Sequence, residues 1–509
     1  MSTAHVAPAS LPDCLLGYRS SDRLRASADR VAMALLRDAI SLDGRTVVFL
    51  APPGGEYVQL ILGIMRAGGT AVPLSPLHTV PELAYVIANA EPAIIVATAE
   101  LLPRLAEAAG GREVIASEPL TAEAAANVKE VLPLTAPEAP AIMLYTSGTT
   151  GRPKGVVLSH KAVLATLSAL AQAWGWRQDD RLLHVLPLHH THGVIVALLG
   201  ALHAGARVEF LAFDPAAAWE RLNDATVFMA VPTMYAKLME AFRAAPADQR
   251  RRWSAGASRL RLCTSGSAAL PASLLMEFQQ ATGQVILERY GMTEIGMALS
   301  NPYHAGTDAG PRVAGAVGRP LPGVTVDIVT DDERPAAVDE PGELRVTTPQ
   351  MFLGYHGDPA ATAASFDDAG RFRTGDTGVR DGAGVIRLLG RTSVDILKSA
   401  GYKISALEIE AVLREHPGVA EVAVIGVPDP TWGECVTACV VGRAGQAPTL
   451  ESLKEFARGH LAPYKLPRAL RLCDSLPRNP MGKVQKKELL AAMSATADSA
   501  APPAKASSR

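Results

Sequence analysis

Short apolar runs alternate along the chain with stretches whose apolar residues recur at helical spacing. The runs Val47–Leu50, Ala93–Val96, Arg181–Leu186, Arg207–Leu211, Thr226–Val231, Arg259–Cys263 and Gln284–Leu287 predict buried strands. Ala162–Ala173 and Met234–Ala245 predict helices between them. This alternation predicts an α/β fold: a large N-terminal domain of layered, mostly parallel sheets covered by helices. There is no fixed-period repeat. Near Gly390 the character shifts. The strand pattern Val385–Leu389 ends at Gly390-Arg391. A compact series follows: helix Ser405–Arg414, strands Val419–Val427 and Val436–Val441, helix Leu450–His460. Ser405-Ala406-Leu407-Glu408 has the spacing of a capping box, which marks a helix start. The expected organisation is therefore 1–389, an N-terminal domain; 390–491, a small α+β C-terminal domain; and 492–509, a small-residue tail expected to be disordered.

The composition narrows the function classes. Of 509 residues, 48% are hydrophobic, too many for wholesale disorder. Lys plus Arg is 49 against 51 acidic residues, a formal charge of −2. A protein that holds nucleic acid or an anionic membrane by bulk charge would not be so balanced. No apolar run approaches the roughly 20 residues of a membrane span. The N-terminus lacks the basic start and apolar core of a signal peptide. Five scattered cysteines, Cys14, Cys263, Cys435, Cys439 and Cys473, argue for a reducing compartment, expected to be the cytoplasm. Cys435 and Cys439 lack the second ligand pair that a zinc site needs.

The most informative segment runs from Tyr145 to Gly155: Thr146-Ser147-Gly148-Thr149-Thr150-Gly151, then Arg152-Pro153-Lys154-Gly155. Its glycines can turn backbone N–H groups toward an anion, its hydroxyls add donors, and Lys154 adds a positive charge. No Gly-Lys-Ser/Thr ends it, so it is not a Walker loop. A flexible linker would not carry a Pro-Lys-Gly end between two strand-like runs.

This loop resembles the phosphate loop of the adenylate-forming superfamily, which includes acyl-CoA synthetases, peptide-synthetase adenylation domains and luciferases. Four further strings match that superfamily in order: Tyr290-Gly291-Met292-Thr293-Glu294, Thr374-Gly375-Asp376, Gly390-Arg391 and Pro477-Arg478-Asn479-Pro480-Met481-Gly482-Lys483. The resemblance covers about Ala141 to Leu489. Within the superfamily the wording is most similar to malonyl-CoA synthetases, through His189-His190-Thr191-His192-Gly193, Glu288-Arg289 before Tyr290, and Asn301-Pro302-Tyr303.

The resemblance implies two-step chemistry with ATP, Mg²⁺ and coenzyme A, and makes 390–491 a mobile lid. Thr146, Ser147, Gly148, Thr149, Thr150, Gly151 and Lys154 would surround the phosphates. Ser265, Gly266, Ser267 and Ala268 would line the adenine and acyl sites, with Tyr290 stacked on adenine and Gly291 and Met292 beside it. Thr293 would serve the phosphate side. Glu294, with Thr146, would hold Mg²⁺. Asp376 would take the ribose hydroxyls and Arg391 the ribose or a phosphate. Lys483 would bridge carboxylate and α-phosphate, and Gly401, with Tyr402, would line the path of the CoA thiol. Between Arg391 and Gly401 the chain is one residue longer than in common family members, so the hinge falls on either Ser393 or Asp395.

Arg289 is the substrate clue. It follows the apolar run Val285-Ile286-Leu287 and adjoins Tyr290. A guanidinium suits a second, non-reacting carboxylate bidentately, and a pocket for a fatty chain would not want that charge. The alternative is an internal ion pair with Glu288 or Glu294. The string with His189, His190 and His192 is expected to form a loop at the acyl pocket, with His190 and His192 as the candidates; the sequence does not say which faces the ligand. The histidines lack the supporting carboxylates of a zinc site.

The expected function is an ATP-dependent ligase for malonate or methylmalonate. Its expected partners are small molecules, with neither nucleic acid nor membrane; monomer and dimer are not distinguished. Two alternatives stand beside it: a ligase for a monocarboxylic acid, and an inactive nucleotide-binding scaffold.

Overall fold

A computed structural model describes residues 22–37, 39–122, 131–146, 153–304, 312–399, 402–443, 445–478 and 484–498. The chain divides into two compact units, one from Met1–Val326 and Val346–Phe372, the other from Asp327–Arg345 and Arg373–Arg509. No helix among the described residues is long and apolar enough to cross a membrane.

The first unit contains two seven-stranded sheets. In one, Thr46–Leu50 lies between Thr70–Pro73 and Ile94–Ala97, all parallel, because Val47, Val48, Phe49 and Leu50 are fully buried and need cover on both faces. Its antiparallel side is the hairpin of Pro140–Thr146 and Lys154–Ser159, with Thr146 opposite Lys154. In the other, Arg181–His184, Arg207–Phe210, Val227–Ala230, Leu262–Ser265 and Leu287–Met292 run parallel, and Gly296–Ser300 turns back along the last. Helices such as His160–Trp174 and Pro232–Ala244 cover the faces, and Trp219 stacks on Trp253 within the core at 5.7 Å between ring centres. The expected α/β class and parallel sheets are found.

Two strand expectations need correction. Arg259–Cys263 shifts to Leu262–Ser265, and Gln284–Leu287 gives way to Leu287–Met292. The charged pair Glu288-Arg289 reads as a strand end, yet parallel pairing of Ser265 with Glu288 and antiparallel pairing of Arg289 with Ser300 carry the strand through it.

A buried ion pair fixes the base of this sheet. Arg261 Nε donates to Asp180 Oδ1 at 2.6 Å, and Asp180 also accepts from Thr226 Oγ1 (2.9 Å) and the Arg177 amide (2.8 Å). Asp180 has no solvent exposure. Asp180→Ala would strand a buried guanidinium, and the expected loss is about 3–5 kcal/mol of unfolding free energy. A urea midpoint within error of the parent would show that the pair does not hold the sheet.

The second unit has a four-stranded sheet that includes Phe372–Arg380 antiparallel to Ile386–Arg391, and a five-stranded sheet built on Val419–Asp429 and Gly433–Gly442. Ser405 caps the helix Ala406–Leu413 by accepting the Glu408 amide at 3.2 Å. The return half of the capping box is absent, because the Glu408 carboxylate takes Lys465 Nζ at 2.7 Å instead. The first residues of the expected tail, 492–498, are helical, and 499–509 lie outside the described residues. A helix runs Lys486–Asp498, since Leu489, Leu490 and Met493 find a core with Ala423, Ile425 and Cys439.

Candidate active site

The loops at the carboxyl ends of parallel strands are where α/β sheets present ligand-binding groups. Strand Leu262–Ser265 ends there with Ser265-Gly266-Ser267-Ala268. Ser265 and Gly266 are buried, whereas Ser267 and Ala268 are exposed. Ser267 holds a left-handed φ of 70°, an unfavourable conformation for a residue with a Cβ.

Alternation along Leu287–Met292 sends Glu288 and Arg289 to opposite faces. Glu288 accepts the Gly315 amide at 2.9 Å, and burial pushes its carboxyl up to about 7. Arg289 lies against the backbone of Gly266, so close that a Cβ there would come within 2.3 Å of the guanidinium carbon. Gly266 is thus a packing requirement as much as a turn residue. Arg289 is 4% exposed, and its Nε and Nη2 are buried without a hydrogen-bond partner. Burial pushes its pKa down to about 10. No carboxylate among the described residues pairs with it, so the internal ion pair with Glu288 or Glu294 does not form.

The histidine string divides in two. His189 and His190 sit in a loop beside His78, with ring centres 3.9 Å apart between themselves and 5.1 Å between His78 and His189. Burial lowers His189 to about 2 and His190 to about 4, with further lowering from neighbouring rings. His192 opens a fully buried π-helix, His192–Leu199, rather than lying in a loop as expected. Turns of this wide type recur at functional sites. Both His192 ring nitrogens lack partners, and its pKa falls well below 6.5 through burial and the nearby charges of Arg289 and His184. The structure therefore associates His192 with Arg289, and His190 with His78. Among the described residues, no three His, Cys, Asp or Glu side chains converge as a metal site.

Three contacts hold this string in place, two of them through groups, Tyr57 and His184, to which the sequence reading gave no role. Tyr57 Oη donates to the Leu188 carbonyl at 2.7 Å, Thr191 Oγ1 donates to Thr293 Oγ1 at 2.8 Å, and His184 Nε2 lies 2.9 Å from the Gly193 carbonyl. Tyr57 lies 131 residues from Leu188 and belongs to no motif. The Thr191–Thr293 bond ties the histidine string directly to Thr293-Glu294.

Tyr290 is buried in the same strand, which breaks register at Tyr290/Gly291, before Met292. Glu294 is buried and accepts Tyr355 Oη at 3.0 Å. Lys154 Nζ stands 4.9 Å from the centre of the Tyr355 ring and 3.4 Å from Asp358. Thr146, Lys154, Tyr355 and Glu294 are thus linked through the hairpin register and these contacts. A single buried carboxylate beside hydroxyls fits Mg²⁺, which keeps water and phosphate oxygens as its other ligands. Ser147, Gly148, Thr149, Thr150, Gly151, Gly401 and Lys483 lie outside the described residues.

The second unit holds Asp376 and Arg391 as cross-strand partners. Arg391 Nε lies 3.0 Å from Asp376 Oδ1, and Nη1 donates to the Thr374 carbonyl at 2.8 Å. Thr374 Oγ1 accepts the Asp376 amide at 3.0 Å and donates to the Leu344 carbonyl at 2.7 Å. Asp376 is 7% exposed, so this is not a solvated surface pair. Beyond it, Ser393 is exposed in the turn, whereas Asp395 is buried.

Comparisons with known proteins give the family and the fold. The family model described as AMP-binding enzyme matches residues 18–356, and that of the AMP-binding enzyme C-terminal domain matches 408–483. The chain is 43% identical over 479 residues to the Homo sapiens malonate–CoA ligase ACSF3, mitochondrial, covering 87% of this chain and 82% of that protein. ATP-bound MatB from Rhodopseudomonas palustris matches with a TM-score of 0.82 at 37% identity, over 92% of each chain. A malonyl-CoA ligase in a ternary product complex with methylmalonyl-CoA and AMP matches with a TM-score of 0.65 at 37% identity, over 93% of this chain and 98% of that one. The first of the two family models alone spans more than half of the sequence: the chain belongs to the AMP-binding enzyme family.

Proposed function

We propose that the protein is an AMP-forming malonate–CoA ligase, with methylmalonate as the other fitting acid. The observation that carries the acid assignment is Arg289, a buried guanidinium with two unpartnered nitrogens and no carboxylate paired with it among the described residues. Leaving a charge buried and unpaired costs several kcal/mol, so a site that keeps one is built for a ligand of opposite charge. A monocarboxylic acid spends its only carboxylate on the reaction and leaves Arg289 uncompensated. Malonate has a second. The relatives named malonate–CoA ligase support the same assignment.

The first step joins two anions. A malonate oxygen attacks the α-phosphorus of ATP, the bond to the β,γ-diphosphate breaks, and malonyl-adenylate and pyrophosphate form. Lys483 bridges the incoming carboxylate and the α-phosphate, while Lys154 and the glycine–threonine loop cradle the outer phosphates. Mg²⁺, when bound, neutralises phosphate charge; Glu294 and Thr146 would hold it. Tyr290 stacks on the adenine, and Asp376 accepts from the ribose hydroxyls with Arg391 alongside. Arg289 takes the distal carboxylate, with the neutral His192 ring as a second donor. In the second step the sulfur of CoA attacks the acyl carbon along the path beside Gly401, the anhydride C–O bond breaks, AMP departs with its electron pair, and the thiol proton passes to water. The unpaired thiols Cys263, Cys435, Cys439 and Cys473 support a reducing location, which we assign to the cytoplasm.

A panel of acids tests this reading. Malonate and methylmalonate should release pyrophosphate without CoA, and AMP and the thioester with it. Butyrate and acetate should do so poorly. Faster turnover of butyrate than malonate would refute the assignment. Asp376→Ala should weaken ATP binding by about 1.5–3 kcal/mol, the worth of a charged hydrogen bond, and leave the malonate KM within twofold or so. An unchanged calorimetric ATP affinity would remove Asp376 from the nucleotide site.

A further inference from the structure

Lys486 is a buried lysine that no step above uses. Its side chain is 9% exposed, and Nζ lies 2.6 Å from both Asp395 Oδ1 and Glu410 Oε1. Those two carboxylates are themselves 11% and 8% exposed. Glu410 Oε1 also accepts the Val424 amide at 2.8 Å, and burial raises the Glu410 pKa despite the ammonium beside it. One cation between two buried acids is a costly way to hold a fold, since a well-packed apolar cluster would serve as well. Such a cluster calls for a positional reason.

That reason lies on the other side of Asp395. Its Oδ2 accepts the Arg391 amide at 3.0 Å, and its own amide donates to the Arg391 carbonyl at 2.8 Å. Its carbonyl accepts the Ala406 amide at 2.7 Å, and Ser405 Oγ donates to the Leu389 carbonyl. The turn is thereby fastened to the helix Ala406–Leu413. Gly390 has φ 128°, and a Cβ there would come within 2.4 Å of the Asp395 Cβ, so Gly390-Arg391 is the string that lets this carboxylate approach. The Arg391 side chain then reaches Asp376 and the Thr374 carbonyl.

We infer that Lys486 is a positioning residue for nucleotide binding, which acts through Asp395 to hold the Arg391 backbone and so aim Arg391 at Asp376. Asp395 is then an anchor, and the exposed Ser393 is the position left free to pivot. The inference rests on Asp376 and Arg391 being the nucleotide pair.

Calorimetric titration of the full-length protein with ATP, together with the KM values for ATP and malonate, tests it. Lys486→Met should weaken ATP about tenfold, the usual scale for a group acting through another, with the malonate KM within about twofold. Lys486→Arg should restore ATP affinity. Asp395→Asn should weaken ATP similarly, and adding Lys486→Met to it should change little, because the two lie on one path. A purely structural lysine would lower the melting temperature and leave ATP affinity at the parent value in the folded fraction; that result overturns the inference. So do two effects that multiply. Should Lys486→Met fail to fold, the double variant Glu410→Gln with Lys486→Met removes the excess buried charge. It should show the same tenfold loss, and parental ATP affinity there is equally fatal. Asp376→Ala run alongside separates the two claims. Weakened binding in Asp376→Ala with unchanged binding in Lys486→Met sinks this inference alone; unchanged binding in Asp376→Ala sinks the nucleotide pair and this inference with it.

Discussion

Arg289→Ala is expected to lower kcat/KM for malonate by about two to four decades, the equivalent of the 3–5 kcal/mol lost when one member of a buried charge pair is removed. The distal carboxylate of malonate stays ionised near neutral pH and must shed water on entering the pocket. In the parent it meets a guanidinium whose Nε and Nη2 have no other partner. In the variant that guanidinium is gone and only the neutral His192 ring remains. ATP affinity should hold, because Tyr290 and Asp376 are untouched. Butyrate should fare as well as with the parent or better, because an uncompensated cation has been removed. Side-by-side kcat/KM values for malonate, methylmalonate and butyrate provide the check. An equal fall for malonate and butyrate would make Arg289 a structural residue.

The second large effect concerns Lys483. Adenylation brings a carboxylate up to an anionic phosphate, and a fixed ammonium at that point stabilises charge that exists fully only in the transition state. Removing one such preorganised donor costs roughly a hundredfold to a thousandfold in rate. Lys483→Ala should therefore cut pyrophosphate release by that factor. Thioester formation from supplied malonyl-adenylate and CoA should stay near the parent rate, because that half-reaction displaces AMP and creates no new bond at phosphorus. On this reading the lysine serves only the first half-reaction. Equal losses in both half-reactions would contradict that division of labour.

Much of this site was legible in the chain because its chemistry is written in contiguous strings. The hairpin around Ser147–Gly151, the Thr293-Glu294 pair and the Asp376–Arg391 pair each lie within or beside a motif, and the described members fall on strands or strand ends. Glu288-Arg289 was harder. Charged residues at the end of an apolar run look like the start of a loop, and only sheet pairing with Ser265 and Ser300 carries the strand onward. The same pairing decides that the two side chains diverge, which removes the internal ion pair. Tyr57 and Lys486 had no local signal at all. Their partners lie 131 and 91 residues away, and a lone tyrosine in an amphipathic helix or a lysine in a basic run is ordinary by composition. Ser405-x-x-Glu408 shows the converse. The local pattern was a capping box, and the distant Lys465 took the glutamate.

The central claim is that the pocket recognises the second carboxylate as an anion. Monomethyl malonate tests it most directly, since the ester keeps the reacting carboxylate and nearly the same shape while removing the distal charge. The parent enzyme should use malonate over its monomethyl ester by about a hundredfold or more in kcat/KM, the penalty for leaving Arg289 buried and unpaired. Equal use of the two within a few-fold would mean that no anion is read at Arg289, and the dicarboxylate assignment would fall.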